Sequence, residues 1–194
     1  MGRKKREWYP GAIYHITNRG NRRSDIFKDD EDYRYYLQNL KRVKSRHHFE
    51  IYSYCLMTNH IHLQLKTFDT EIWHIMKEIN QYYAKFFNEK YNFIGRLYQG
   101  RYKSELIEND AYNLQTSRYI HLNPVQASMV GLPVEYKWSS YPAFMGEVED
   151  DILNEDAILS YFKGKSRNLY KNYVESKLIN FKRDKKEKVA EGEI

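Results

Sequence analysis

Apolar and polar residues change their period several times along this chain, and each change marks an element. Ala12-Ile13-Tyr14-His15-Ile16-Thr17 alternates, which predicts a strand. From about residue 30 to 44 the apolar positions are Tyr33, Tyr36, Leu37, Leu40 and Val43. That spacing predicts an amphipathic helix, capped by Asp29 or Asp30. Phe49 to Met57, rich in Ile, Tyr and Phe, reads as a second strand. Thr58-Asn59 makes a tight connection, and a third strand returns antiparallel from His60. Ile72, Ile75, Met76, Ile79, Tyr83, Phe86 and Phe87 give a helix over about 70 to 90, broken by Asn92 to Gly95. Leu97 to Ile107 predicts a fourth strand with Gln99, Arg101 and Lys103 alternating on one face. A further helix starts at Asn109-Asp110, with Asp110 as N-cap, and runs to about Leu122, where Pro124 stops it.

The order strand, helix, strand, strand, helix, strand, helix points to an α+β, ferredoxin-like fold. It is a βαββαβ antiparallel sheet with helices on one face and one added C-terminal helix. The other sheet face is expected to stay free. Val125 to Val130 is read as one more turn, and Trp138-Ser139-Ser140-Tyr141 as a loop-like stretch whose aromatics pack back on the domain. After Gly146 the composition turns acidic, then basic. Residues 1–146 are therefore expected to form the main domain, and 147–194 a helical, basic tail. Short helices are expected around Ile158 to Phe162 and Tyr170 to Leu178, and Lys182 to Lys188 is expected to be disordered.

Composition narrows the class. The 194 residues carry a net charge of +6, and 19 tyrosines supply most of a 16% aromatic fraction. Cations meet phosphates and flat rings stack on unpaired bases, so this balance suits nucleic acid. The lone Cys55 excludes an internal disulfide and fits a reducing cytosol, hence a cytoplasmic expectation. No apolar run approaches the length of a membrane span, so no membrane partner is expected. Met1 to Arg6 is basic without a following apolar segment, which argues against a secretory signal and suits an arm on a phosphate backbone.

Two stretches carry chemistry. In the third strand His60 and His62 are two residues apart and share a face, a ready pair of ligands for one divalent metal. The bland alternative is two polar residues on a wet strand face. In the last helix of the domain Tyr119 and Asn123 are four apart and share a face. A tyrosine beside a metal–phosphate site is a plausible nucleophile, although most of 19 tyrosines are packing residues. Asn123 has a second reading as the N-cap of a next helix begun by Pro124. His121 is a rival ligand that points off the Asn123 face. Arg19, Arg22 and Arg23 load the turn after the first strand, and with Arg101 and Lys103 they are candidate phosphate contacts.

Taken together, Asn59-His60-Ile61-His62-Leu63 and Arg118-Tyr119-Ile120-His121-Leu122-Asn123-Pro124-Val125 resemble the paired-histidine motif and tyrosine helix of the single-tyrosine HUH nucleases. Tyr14-His15-Ile16-Thr17-Asn18-Arg19-Gly20, Gln99-Gly100-Arg101-Tyr102-Lys103-Ser104 and Trp138-Ser139-Ser140-Tyr141 extend the resemblance over about residues 9 to 146, to IS200-like and REP-associated tyrosine transposases. The resemblance implies an enzyme that cleaves and rejoins single-stranded DNA near a hairpin. It implies His60, His62 and Asn123 as ligands of Mg²⁺ or Mn²⁺, and Tyr119 as the nucleophile of a 5′-phosphotyrosine intermediate. A homodimer is expected from the same likeness. Thr58 stands where relatives often carry proline, and Gln126-Ala127-Ser128 replaces a more usual Arg-Ala-Gly. In the tail, Arg167, Lys171, Lys177, Lys182 and Arg183 suit a hairpin contact. Two other classes stay open: a catalytically silent nucleic-acid-binding module on the same fold, and a metal-dependent phosphodiesterase using water. Only the tyrosine route requires a covalent protein–DNA species.

Overall fold

The structure is a computed structural model that describes residues 7–190, with side chains as far as Leu178 in the last helix. The basic residues 1–6 lie outside the described residues. Four strands, β1 (Ile13–Arg19), β2 (Phe49–Met57), β3 (His60–Thr67) and β4 (Lys103–Ile107), form one antiparallel sheet in the order β2-β3-β1-β4. With α1 (Asp30–Lys44) and α2 (Ile72–Tyr91) between the strands, this is the ferredoxin-like topology. Asp29 caps α1: its side chain accepts from the Glu31 and Asp32 amides, and Asp32 answers with a capping box.

One sheet face buries Tyr14, Ile16, Ile51, Leu63 and Leu65 under the apolar stripes of α1 and α2. β2 does not alternate simply, because Tyr52 is an extra residue between the paired Ile51 and Ser53. The bulge turns Ile51 and Tyr54 toward the same face and sends Tyr52 to the opposite one.

That opposite face is not free, as expected from the sequence, but half covered. The helix α3 (Asp110–Gln126) lies across β2 and β3. Its cap is Asn109, whose side chain accepts from the Tyr112 amide, and not Asp110. Pro124 does not end it. The helix runs on to Gln126 because Leu122, Asn123 and Pro124 are all buried, and packing holds a turn that local preference would break.

β4 is shorter than expected. Residues 97–99 still bond to the end of β1 (Asn21 N to Leu97 O 2.8 Å, Gln99 N to Arg19 O 2.9 Å), but Gly100 at φ +74° turns the chain out of the sheet. The 138–141 segment is more than a loop. The Leu56 amide donates to Trp138 O and the Ser140 amide to Tyr54 O, which lengthens the sheet at the β2 edge. Trp138 stacks on Tyr33 with centroids 4.5 Å apart.

The chain then forms α4 (Tyr141–Phe144), α5 (Asp156–Leu159) and α6 (Arg167–Ala190). The backbone of α6 continues through 182–188, where the sequence led us to expect disorder. Tyr170, Val174 and Leu178 of α6 bury a second core with Tyr52, Leu122, Tyr141, Phe144, Ile158 and Leu159. Arg167 is committed to this packing rather than free for a hairpin: it pairs with Glu155 and donates to the Ala143 and Phe144 carbonyls. Among the described residues no helix is long and apolar enough to cross a membrane.

Candidate active site

Strand register builds the site. β1 and β3 pair His15 with Gln64, Thr17 with His62 and Arg19 with His60, and β4 adds Lys103 opposite Thr17 and Glu105 opposite His15. Cross-strand partners share a face, so His15, His60, His62, Arg19, Lys103 and Glu105 all stand on the α3 side. Over β2 and β3, α3 seals this face. Gln64 is fully buried, accepting from Ser53 Oγ at 2.7 Å and donating to the Asn113 carbonyl and side chain at 2.8 and 2.6 Å. Toward β1 and β4 the face opens.

The opening is a cleft of about 470 Å³ lined by Thr17, Asn18, Arg19, His60, His62, Gln99, Gly100, Arg101, Lys103 and Tyr119. A second recess of about 420 Å³ lies beside Tyr119 and is lined by His15, Glu105, Tyr112, Gln115 and Thr116 among others. Tyr119 stands between the two. Its ring meets His62 edge-on at 5.4 Å and His15 at 5.8 Å, while 44% of the residue stays exposed. A packing tyrosine would be covered; this one presents its ring to solvent beside two histidines.

Each paired histidine has one nitrogen engaged. His60 Nδ1 lies 2.6 Å from Asn59 Oδ1, an acceptor, so that nitrogen carries the hydrogen and Nε2 keeps its lone pair. His62 Nδ1 lies 3.0 Å from His15 Nε2. Burial lowers the His60 pKa to about 4, helped by the Arg19 charge. For His62 burial comes first, then His15, His60 and Arg19, and the value falls to about 2. Both imidazoles are therefore neutral at physiological pH, the form that binds metal. Two neutral imidazoles on one cleft fit a divalent cation, and as nitrogen donors they suit Mn²⁺ better than Mg²⁺. Among the described residues no group of three or more His, Cys, Asp or Glu is placed to hold a metal, so further ligands would come from amides, water or substrate.

The expected residues divide into two groups. His60, His62, Tyr119, Arg19, Arg101 and Lys103 line one cleft. Asn123, Arg22 and Arg23 do not. Asn123 is buried, with Nδ2 donating 2.8 Å to the Tyr119 carbonyl, and it caps no new helix. Arg22 and Arg23 are exposed in the turn after β1, both with left-handed φ (52° and 62°). His121 is a structural histidine. It is fully buried between Ser140 Oγ (2.8 Å) and the Tyr170 hydroxyl (2.7 Å), and burial lowers its pKa to about 3.

His15 was not singled out from the sequence. The alternation of β1 already placed it opposite Tyr14 and Ile16; what it lacked was the β1–β3 register that sets it against His62.

The ferredoxin-like sheet thus sets paired neutral histidines against an exposed tyrosine in a cleft rimmed by cations. The family model for IS200-like transposases matches residues 9–123, which contain the whole of this site, and the chain belongs to that family. It is thus a transposase by family. Among solved structures, it is similar to a REP-associated tyrosine transposase bound to a REP hairpin. The identity is 20%, over 79% of this chain and 94% of that one, with a TM-score of 0.65. A transposase candidate from Deinococcus radiodurans R1 aligns at 17% identity over 61% and 95% of the two chains, with a TM-score of 0.44. No curated protein matches the chain.

Proposed function

We propose that this transposase cleaves and rejoins single-stranded DNA beside a hairpin, with Tyr119 as nucleophile. The observation that carries the reading is the placement of Tyr119: exposed, on the cleft, and 5.4 Å by ring centroids from His62. The hairpin comes from the solved relative, which is bound to one. Arg19, Arg101 and Lys103 hold the phosphate backbone along the cleft, and Arg22 and Arg23 extend that contact from the adjoining turn.

In the reaction the Tyr119 oxygen attacks phosphorus and the bond from phosphorus to the 3′-oxygen breaks. The phenolic proton is lost to solvent, and the departing 3′-oxygen takes one up. The products are a 5′-phosphotyrosine and a free 3′-hydroxyl, and the reverse attack rejoins the strand. His60 and His62 are the residues that would hold Mg²⁺ or Mn²⁺, Mn²⁺ being favoured by their chemistry. When bound, the cation polarises the phosphate and offsets developing charge. Asn123 would ligate through Oδ1, which its Nδ2 bond to the Tyr119 carbonyl leaves free, but it does not line the cleft and joins the ligand set only if its side chain or the end of α3 moves. Tyrosine and histidines come from one chain, so a second copy is not needed to complete this set.

The test is a gel assay of the protein and its Tyr119→Phe variant with labelled hairpin-bearing single strands, with Mn²⁺ or chelator. A metal-dependent covalent adduct is expected from the parent only. Tyr119→Phe should unfold within about 0.5 kcal/mol of the parent, since the residue is 44% exposed. Cutting without an adduct by both proteins would make water the nucleophile, and binding without cutting would leave a binding module.

A further inference from the structure

Behind His62 stands an array of polar groups joined by two hydrogen bonds and one longer ion-pair contact. His62 Nδ1 faces His15 Nε2 at 3.0 Å, and their rings stack at 5.3 Å and 21°. On the far side of His15, Nδ1 lies 3.9 Å from Glu105 Oε2. That carboxylate is steadied by the Tyr112 hydroxyl, which donates to Oε2 at 3.1 Å. Neither His15 nor Glu105 lines the cleft shared by His60 and His62; both lie in the recess on the other side of Tyr119.

Between two neutral imidazoles only one hydrogen can lie on the shared line. If His15 Nε2 carries it, His62 Nδ1 is the acceptor and His62 Nε2 holds the proton, with no lone pair left for a cation. If His62 Nδ1 carries it, His62 Nε2 is free. Glu105, in ion-pair range of His15 Nδ1, biases the choice between these. An anion beside His15 Nδ1 keeps that nitrogen protonated and leaves His15 Nε2 as acceptor. The hydrogen on the shared line then belongs to His62. His60 reaches the same state by a shorter route, through Asn59.

We propose that His15, oriented by Glu105, is a positioning residue that fixes His62 as its Nδ1–H tautomer and so turns the Nε2 lone pair toward the cleft. This rests on the reading of His60 and His62 as a cation pair. It assigns the Tyr112–Glu105–His15 array a purpose, and it gives the β1 histidine a role without making it a ligand. Hydrogen-bonding partners behind ligating histidines typically change metal affinity 10- to 100-fold when removed.

The experiment has two arms. In the first, ¹⁵N NMR of the imidazoles is recorded on metal-free protein: parent, His15→Phe, His15→Gln and Glu105→Gln. His62 is expected as the Nδ1–H tautomer in the parent and to shift toward Nε2–H in His15→Phe. His15→Gln should restore it in part, since the amide oxygen can accept from His62 Nδ1. In the second arm Mn²⁺ binding is titrated by EPR. Affinity should fall about 10- to 100-fold in His15→Phe, less in Glu105→Gln, and recover partly in His15→Gln. Thermal unfolding confirms that each variant is folded. An Nε2–H His62 in the parent, or a His15→Phe variant with unchanged tautomer and Mn²⁺ affinity, overturns the proposal. A parent that binds no Mn²⁺ counts against the metal reading of the site, while the tautomer arm still decides the relay.

Discussion

Gly20 has φ −59°, an angle open to every residue, yet a Cβ built there meets the Ser24 carbonyl oxygen at 2.0 Å and Ile26 Cγ2 at 2.9 Å. The constraint is space. Its amide donates to Asn59 O, and its neighbours Arg19 and Asn21 bond to residues 97–99, so this stretch ties the end of β1 to the β2–β3 turn and to the 97–99 segment. Gly20→Ala should cost roughly 1–3 kcal/mol, seen as a lower urea midpoint, and a parent-like midpoint would show that the loop yields freely. Ser128 presents the opposite case. It sits at φ 58°, left-handed, just past the end of α3. By backbone conformation alone, glycine suits this position better than serine. That His60 and His62 share one strand face was legible from period, whereas the choice of Tyr119 among 19 tyrosines came from the family resemblance. That His15 stands behind His62 was not legible, because period says which face a residue takes and nothing about its neighbour on the next strand.

At the scale of elements, α3 is the one the sequence described least well. It was expected to stop before Pro124, and Asn123 had a reading as a cap. Both follow from local preference. The helix is wedged between the sheet and α6, and its buried positions include Asn113, Thr116, Ser117 and His121, so no single apolar stripe marks its inner face. Apart from Thr116, whose Oγ1 has no hydrogen-bond partner, these buried polar groups are paired: Asn113 with Gln64, Ser117 with the Tyr170 hydroxyl, Tyr170 with His121, and His121 with Ser140, whose Oγ also accepts from the Tyr54 amide. This chain ties the tyrosine helix to β2 and α6. It also makes the fold acid-sensitive. His121 has a folded pKa of about 3 against 6.5 for the free side chain. Between those values the unfolded chain binds the extra proton, so stability falls as pH drops below 6.5. The loss attributable to His121 is about 2 kcal/mol by pH 5. A His121→Gln variant, whatever its stability at pH 7, should have a shallower slope of unfolding free energy against pH over that window. Parallel slopes would mean that His121 is not held neutral.

For the whole molecule, the question is what the part after Gly146 does. The sequence separated it by composition, and the second core shows what it covers: Tyr52, Leu122, Tyr141 and Phe144 are buried with Ile158, Leu159, Tyr170, Val174 and Leu178. A chain ending at Gly146 should therefore expose these side chains, bind a hydrophobic dye and unfold well below the full-length protein. An equally stable truncated chain would show that residues 1–146 need no cover. The charge of +6 is likewise placed by the fold, since Arg19, Arg101 and Lys103 come from β1, the 97–102 segment and β4 to rim one cleft.

By itself the sequence determined the element order, the ferredoxin-like class and the alternation that sets His60 and His62 on one strand face. Those are short-range properties: period, caps and turns act within a few residues. Tertiary structure decided which strand faces meet and at what register. It carried α3 past its proline, covered half of the expected free face and brought His15 and Glu105 behind His62. These outcomes depend on pairings between residues about 40 to 90 positions apart, where burial and hydrogen bonding outweigh local preference.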